Sequence, residues 1–177
     1  VLLSVGNKIV YPHQGPCLIG AVVQKVVGGR PTRFYHLARL DDVGGAMFVP
    51  VDKIGELKIR QLTPRSDIPK LLRRLQKPAS TAMNWKQRAI DNLKLLASGS
   101  AFDLAEVVES LTELNEARTL APRDREMLDR ARRILICEIS EVTGKTKSAT
   151  EEQVDRALNV REKSIKQPAG RKAVRQT

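Results

Sequence analysis

The spacing of apolar residues changes once along this chain, near Thr63. Ahead of that point the apolar positions form short β-branched runs broken by turn residues. Lys8-Ile9-Val10-Tyr11 stops at Pro12-His13-Gln14-Gly15-Pro16, and the run from Cys17 to Val27 stops at Gly28-Gly29, a pair suited to a tight hairpin. Runs at 33–40, 46–51 and 57–60 complete four or five strands within about sixty residues, which predicts a small barrel or rolled sheet. Gly20 marks a bend in the longest run, and Pro50 puts its strand at a sheet edge or at its end.

From Thr63 the period lengthens to three and four residues, the spacing of helices. Ile68, Leu71, Leu72 and Leu75 share one face of a first helix, opened by Pro64 and Ser66-Asp67 and closed by Pro78. A second runs from Thr81 to about Gly99, with Met83, Ile90, Leu93 and Ala97 as its apolar stripe. Trp85, the one Trp of the chain, falls roughly 100° off that stripe, on a side shared with Arg88 and Asn92. If Ala89 and Leu96 widen the stripe, Trp85 packs on a neighbouring helix instead. The third helix, 100–118, turns Leu104, Val107, Val108, Leu111 and Leu114 inward. Pro122 opens a fourth, which carries Met127, Leu128, Ala131, Leu135 and Ile139 to about Thr143. A shorter one spans 150–159 with Val154, Ala157 and Leu158. The expected architecture is α+β: a β domain over 1–62, a helical domain of four to five helices over 63–160, and a disordered basic tail over 161–177.

Charge narrows the partner. The net charge of +11 on 177 residues favours an acidic partner, nucleic acid before a membrane surface. The basic residues are concentrated at 65–94, opposed there by Asp67 and Asp91 alone. Asp103, Glu106, Glu109, Glu113 and Glu116 then recur at helical spacing, as on a solvated face. Pairing between these basic and acidic helices is the alternative for part of the charge. Trp85 among Lys86, Arg88 and Lys94 suits a surface that meets nucleic acid.

Catalytic and metal chemistry find no footing. Gly144-Lys145-Thr146 imitates the end of a phosphate-binding loop, but Ile139 stands where its first glycine belongs, and a helix-ending glycine explains Gly144 better. His13 and His36 lack neighbouring ligands in sequence. Cys17 and Cys137 make neither a metal spacing nor a redox pair, which fits a reducing cytoplasm. No apolar run approaches a membrane span, and Val1–Val5 is too short for a signal core. A binding protein is expected rather than an enzyme, with no metal, cofactor, membrane or small-molecule substrate.

Two groups of residues then become specific. Val5-Gly6-Asn7-Lys8-Ile9-Val10-Tyr11-Pro12-His13-Gln14-Gly15, with Val49-Pro50-Val51 and Leu57-Lys58-Ile59-Arg60, resembles the N-terminal domain of the CarD/CdnL family of bacterial transcription regulators. Asn84-Trp85, Arg88, Asn92-Leu93, Leu96-Ala97-Ser98-Gly99 and the segment around Ala131-Arg132 and Ile134-Leu135 resemble its C-terminal domain. The likeness covers roughly residues 4–143. It implies a Tudor-like barrel, related to the polymerase-interacting domain of the transcription-repair coupling factor, joined to a helical domain. It further implies that a sheet edge binds the RNA polymerase β subunit, here through Lys25, Phe48, Val49, Pro50 and Val51. The helical domain would contact promoter DNA through Lys86, Arg88 and Lys94, with Trp85 as a minor-groove wedge that holds the open complex. The chain departs from the family pattern at Phe48, where a basic residue is usual, and at Gln87 and Ile90. The alternative reading is a general DNA- or RNA-binding protein whose barrel contacts nucleic acid directly.

Overall fold

The computed structural model describes residues 3–41, 44–77 and 85–166, with the side chains of 85, 86 and 162–166 outside the description. Five strands come first: β1 (Lys8–Tyr11), β2 (Gly15–Val27), β3 (Arg30–Arg39), β4 (Ala46–Pro50) and β5 (Arg60–Gln61). Five helices follow: α1 (Ile68–Leu75), α2 (Trp85–Ser98), α3 (Ala101–Ala117), α4 (Pro122–Thr143) and α5 (Lys147–Lys166). The chain is therefore α+β, as its periodicity predicts.

The strands form one antiparallel sheet in the order β4-β3-β2-β1-β5. Val27 pairs with Arg30 across Gly28 and Gly29, whose φ values of 57° and 78° are the left-handed pair that a two-residue hairpin demands. The register shifts between Ile19 and Ala21, so the expected bend at Gly20 is a bulge. Two expectations are corrected. The sheet is open, with β4 and β5 as its edges, and is not closed into a barrel. The last strand is Arg60–Gln61 rather than 57–60, because Leu57 and Ile59 bond back to Lys53 and Ile54 in tight turns. Both side chains still pack against the sheet core of Ile9, Cys17, Ile19, Tyr35, Leu37 and Val49.

The helical core gathers Leu71 and Leu75 of α1, Leu104, Val108 and Leu111 of α3, Leu135 and Ile139 of α4, and Val154 of α5. Gly144 closes α4 in the left-handed conformation, its N–H donating to the Ser140 carbonyl at 2.9 Å. On α2 the expected stripe is wrong by about one residue. Asn92 and Leu96 are buried and Ala89 is half-buried against α3, whereas Ile90 and Leu93 are 48% and 40% exposed. An amide in the middle of the packed face breaks its apolar run, which makes the neighbouring stripe look stronger in sequence.

The acidic helix α3 is also not a solvated face throughout. Glu109 is fully buried, with Arg74 of α1 at 3.6 Å and Arg161 of α5 at 3.7 Å. Arg161 is itself fully buried; it donates to the Glu109 carbonyl at 3.2 Å and pairs with Glu116. It therefore belongs to the folded helical layer, not to a disordered tail, and α5 runs on to Lys166. A buried guanidinium needs carboxylates around it, and α3 supplies them. The expected tail from 167 onward lies outside the described residues.

Sheet and helices meet in a polar joint centred on Glu138 of α4, whose carboxylate is sealed from solvent. Arg60 grips both of its oxygens, at 2.7 and 2.9 Å, and Thr63 donates through its N–H at 2.8 Å and its hydroxyl at 2.7 Å. The same guanidinium donates from Nε to the Gly99 carbonyl at 2.7 Å. The turn after β1 packs into the joint: a Cβ on Gly99 would lie 2.8 Å from Pro12, and one on Gly15 3.3 Å from Ile134. Lys8–Glu141 at 2.7 Å, Lys147 to the Leu40 carbonyl at 3.0 Å and Arg133–Asp41 at 3.5 Å extend the contact.

Arg60→Ala would leave the Glu138 carboxylate buried without its cation, and the expected loss is about 3–5 kcal/mol in urea unfolding. A loss near 1 kcal/mol would mean that the joint is held elsewhere. For Glu109, burial raises the carboxyl from 4.5 to about 7, reinforced by Glu113 and Glu106 and opposed by Arg74 and Arg161. In that window the folded chain keeps a proton that the unfolded chain has shed. Its stabilising contribution is complete below 4.5 and is lost as pH rises through about 7. Glu109→Gln is expected to gain melting temperature relative to the parent as pH rises across this window. A constant gap between the two would refute the assignment.

Candidate functional site

Two exposed features lie on opposite sides of the joint in sequence. The first is the free edge of the sheet at β4. Phe48 stands on the outer face of this strand, 47% exposed, and pairs in register with His36 of β3. The two rings lie 5.2 Å apart at a tilt of 50°, and the Lys25 ammonium sits 3.4 Å above the Phe48 ring. Each strand of the β2-β3-β4 ladder thus contributes one member of a cation–aromatic stack, which fixes a flexible lysine at the edge.

Alternation along β4 sends its neighbours the other way. Val49 is buried opposite Tyr35, Val51 lies in the short 3-10 turn that follows and packs against the sheet core, and Pro50 ends the strand. Of the five residues expected at this surface, Lys25 and Phe48 are brought together as side chains. The Val49 side chain is withdrawn into packing, and that of Val51 is half-buried against the sheet core. The edge position expected from Pro50 is correct.

The second feature is a groove between α2, the end of α3 and the start of α4. Its volume is about 380 Å³, and Arg88, Asn92, Leu111, Leu114, Arg118 and Arg123 are among its walls. The charge field expected around α2 is partly spent inside the molecule. Arg74 bonds to Glu106 at 3.3 Å as well as to Glu109, and Lys70 to Asp67 at 2.9 Å. Arg88 is half-buried in the groove wall, whereas Lys94 points to solvent with Asp91 at 3.9 Å. The two do not form one patch. Trp85 opens α2, and its side chain and that of Lys86 lie outside the described residues. The side of α2 that bears Arg88 and Asn92 is the packed side, which overturns its expected place on a free face.

Arg118 and Arg123 are functional candidates that sequence reasoning passed over. They flank the α3–α4 turn at Thr119-Leu120-Ala121-Pro122, so they sit far from Arg88 in sequence and beside it in space. The signal available was their place at the turn that folds α4 back along α3. Cys17 is buried, and burial pushes its thiol up to about 11, which leaves it inert at neutral pH.

Comparison with known proteins assigns both halves. Residues 3–63 match the family model described as the CarD-like/TRCF RID domain, and residues 68–155 match the one described as CarD, C-terminal domain. The chain is similar to "Putative transcription factor YdeB" of Bacillus subtilis (strain 168), with 27% identity over 146 residues, 82% of this chain and 95% of that protein. It is also similar to the solution NMR structure of the 72-residue N-terminal domain of Myxococcus xanthus CarD. There the identity is 34%, covering 33% of this chain and 77% of that one, at a TM-score of 0.29.

Proposed function

This chain belongs to the CarD family of transcription factors and carries its RNA polymerase-interacting domain, and on that premise we propose that it bridges polymerase and promoter DNA. Residues 1–62 bind the polymerase β subunit, and residues 63–160 contact the DNA at the edge of the melted region. The protein acts without catalysis, in the cytoplasm. The observation that carries this reading is the edge of β4, unpaired among the described residues, with Phe48 and Lys25 stacked beside it. An exposed edge offers main-chain donors and acceptors that a partner's strand can satisfy, and the adjoining side chains select among partners.

On the helical side, Trp85 is the wedge that enters the minor groove and keeps the bubble from closing. Lys86, Arg88 and Lys94 contact phosphates, joined by Arg118 and Arg123 at the groove. Phosphate contacts of this kind position the protein, and the polymerase supplies the local concentration that a modest DNA affinity needs. The joint at Glu138 supports the division of labour, because it holds the two surfaces in one fixed relation.

Phe48→Ala in the full chain is expected to weaken capture of core RNA polymerase about tenfold while the melting temperature stays within error, since the ring is largely exposed. Undiminished capture would sink the edge as the polymerase site. Trp85→Ala is expected to leave capture intact and shorten the lifetime of the open promoter complex, measured by competitor challenge. A folded, polymerase-bound variant that holds promoters open as long as the parent would remove the wedge.

A further inference from the structure

The groove beside α2 has a composition that phosphate contact alone does not explain. We propose that it is a pocket for one unpaired nucleotide of the DNA strand, with the base inside the groove and its phosphate on the arginines. This deepens the DNA-contact reading above and rests on it.

Asn92 provides the first argument. Its side chain is almost wholly enclosed, at 3% exposure, yet lines the groove and makes no hydrogen bond among the described residues. An amide at the wall of an open groove, with no protein partner for its side chain among the described residues, has its donor and acceptor left for whatever occupies the groove. An amide presents a donor and an acceptor side by side, which matches the edge of a base and adenine best.

The floor is the second argument. Leu114, backed by the buried Leu111, offers an apolar surface to a flat ring, and about 380 Å³ lies within the roughly 300–1,000 Å³ of small-ligand sites. The third is charge. Arg88, Arg118 and Arg123 stand at the walls with no ion pair among the described residues, against a single acidic wall residue, Asp124. Three guanidiniums around an apolar slot with one amide are the complement of a base joined to its phosphodiester. A paired base cannot enter, because it must first leave the stack at a cost of a few kcal/mol. A base already unpaired at the edge of a bubble avoids most of that cost, so the pocket discriminates melted from closed DNA.

The test is equilibrium binding of the full chain, by fluorescence anisotropy, to three labelled duplexes: fully paired, with one bulged adenosine, and with an abasic residue at the bulge. The parent is expected to bind the bulged adenosine about tenfold more tightly than either other duplex, the size of one good base-edge contact. Asn92→Ala should lose that preference yet keep its affinity for the paired duplex. Arg118→Ala should weaken all three and flatten their salt dependence. If the abasic bulge is bound as tightly as the adenosine bulge, no base is recognised and the pocket is refuted. That comparison uses the parent protein and does not depend on the folding of any variant. Displacement of the bulged duplex by free adenosine monophosphate at micromolar concentration would overturn the strand as the source of the nucleotide. Equal binding to all three duplexes removes the pocket alone, whereas failure to bind any of them at protein concentrations up to the millimolar range that tethering to polymerase would supply removes the DNA-contact reading with it.

Discussion

A carboxylate with no access to water governs how this molecule is assembled. Glu138 lies in the middle of α4, and its partners come from β5 and from the residue just before the helices begin. Removing the charge from water is expensive, and it is tolerated because every lone pair that matters meets a donor. Arg60 in turn has no freedom left, since the same guanidinium holds the Gly99 carbonyl. One buried anion thus couples the sheet, the end of α2 and the middle of α4. The close approach of the β1–β2 turn to Gly99 and Ile134 follows from that clamp.

Several of the residues that made the family legible in sequence are residues of this joint. Pro12, Gly15, Arg60, Gly99 and Ile134 were each part of the resemblance, and each lies at the seam between sheet and helices. Their constraint is geometric: a Cβ at Gly99 has no room beside Pro12, and no shorter cation reaches two carboxylate oxygens and a carbonyl together. The helical period of α1, α3 and α4 was equally readable, because Leu, Ile, Val, Ala and Met recur at three- and four-residue spacing along their buried faces.

What sequence hid has a common physical form: polar residues on packed faces. Asn92 interrupts the true stripe of α2, Glu109 sits fully buried within an acidic run that looks solvated, and Arg161 begins a stretch that looks like tail. Each is buried because a partner from a distant element meets it, or because a cavity does, and distance in sequence conceals both. The groove at Arg88, Arg118 and Arg123 was missed for the same reason, since its walls come from three helices. The expectation of a small barrel or rolled sheet is met only as an antiparallel five-stranded sheet. Strand count and spacing constrain the number of strands and say little about whether the two edge strands, here β4 and β5, meet.

The β4 edge has a consequence for the chain when no partner is bound. An open sheet edge is a template for any extended segment, including another copy of the same strand. Here the template is five residues long, is terminated by a proline that cannot donate, and carries a lysine folded over its one large aromatic. Two such strands laid side by side would bring both ammonium groups into one small area and would run out of donors at Pro50. These features disfavour pairing of the edge with another copy of itself, while a foreign strand that brings its own negative charge meets no such barrier.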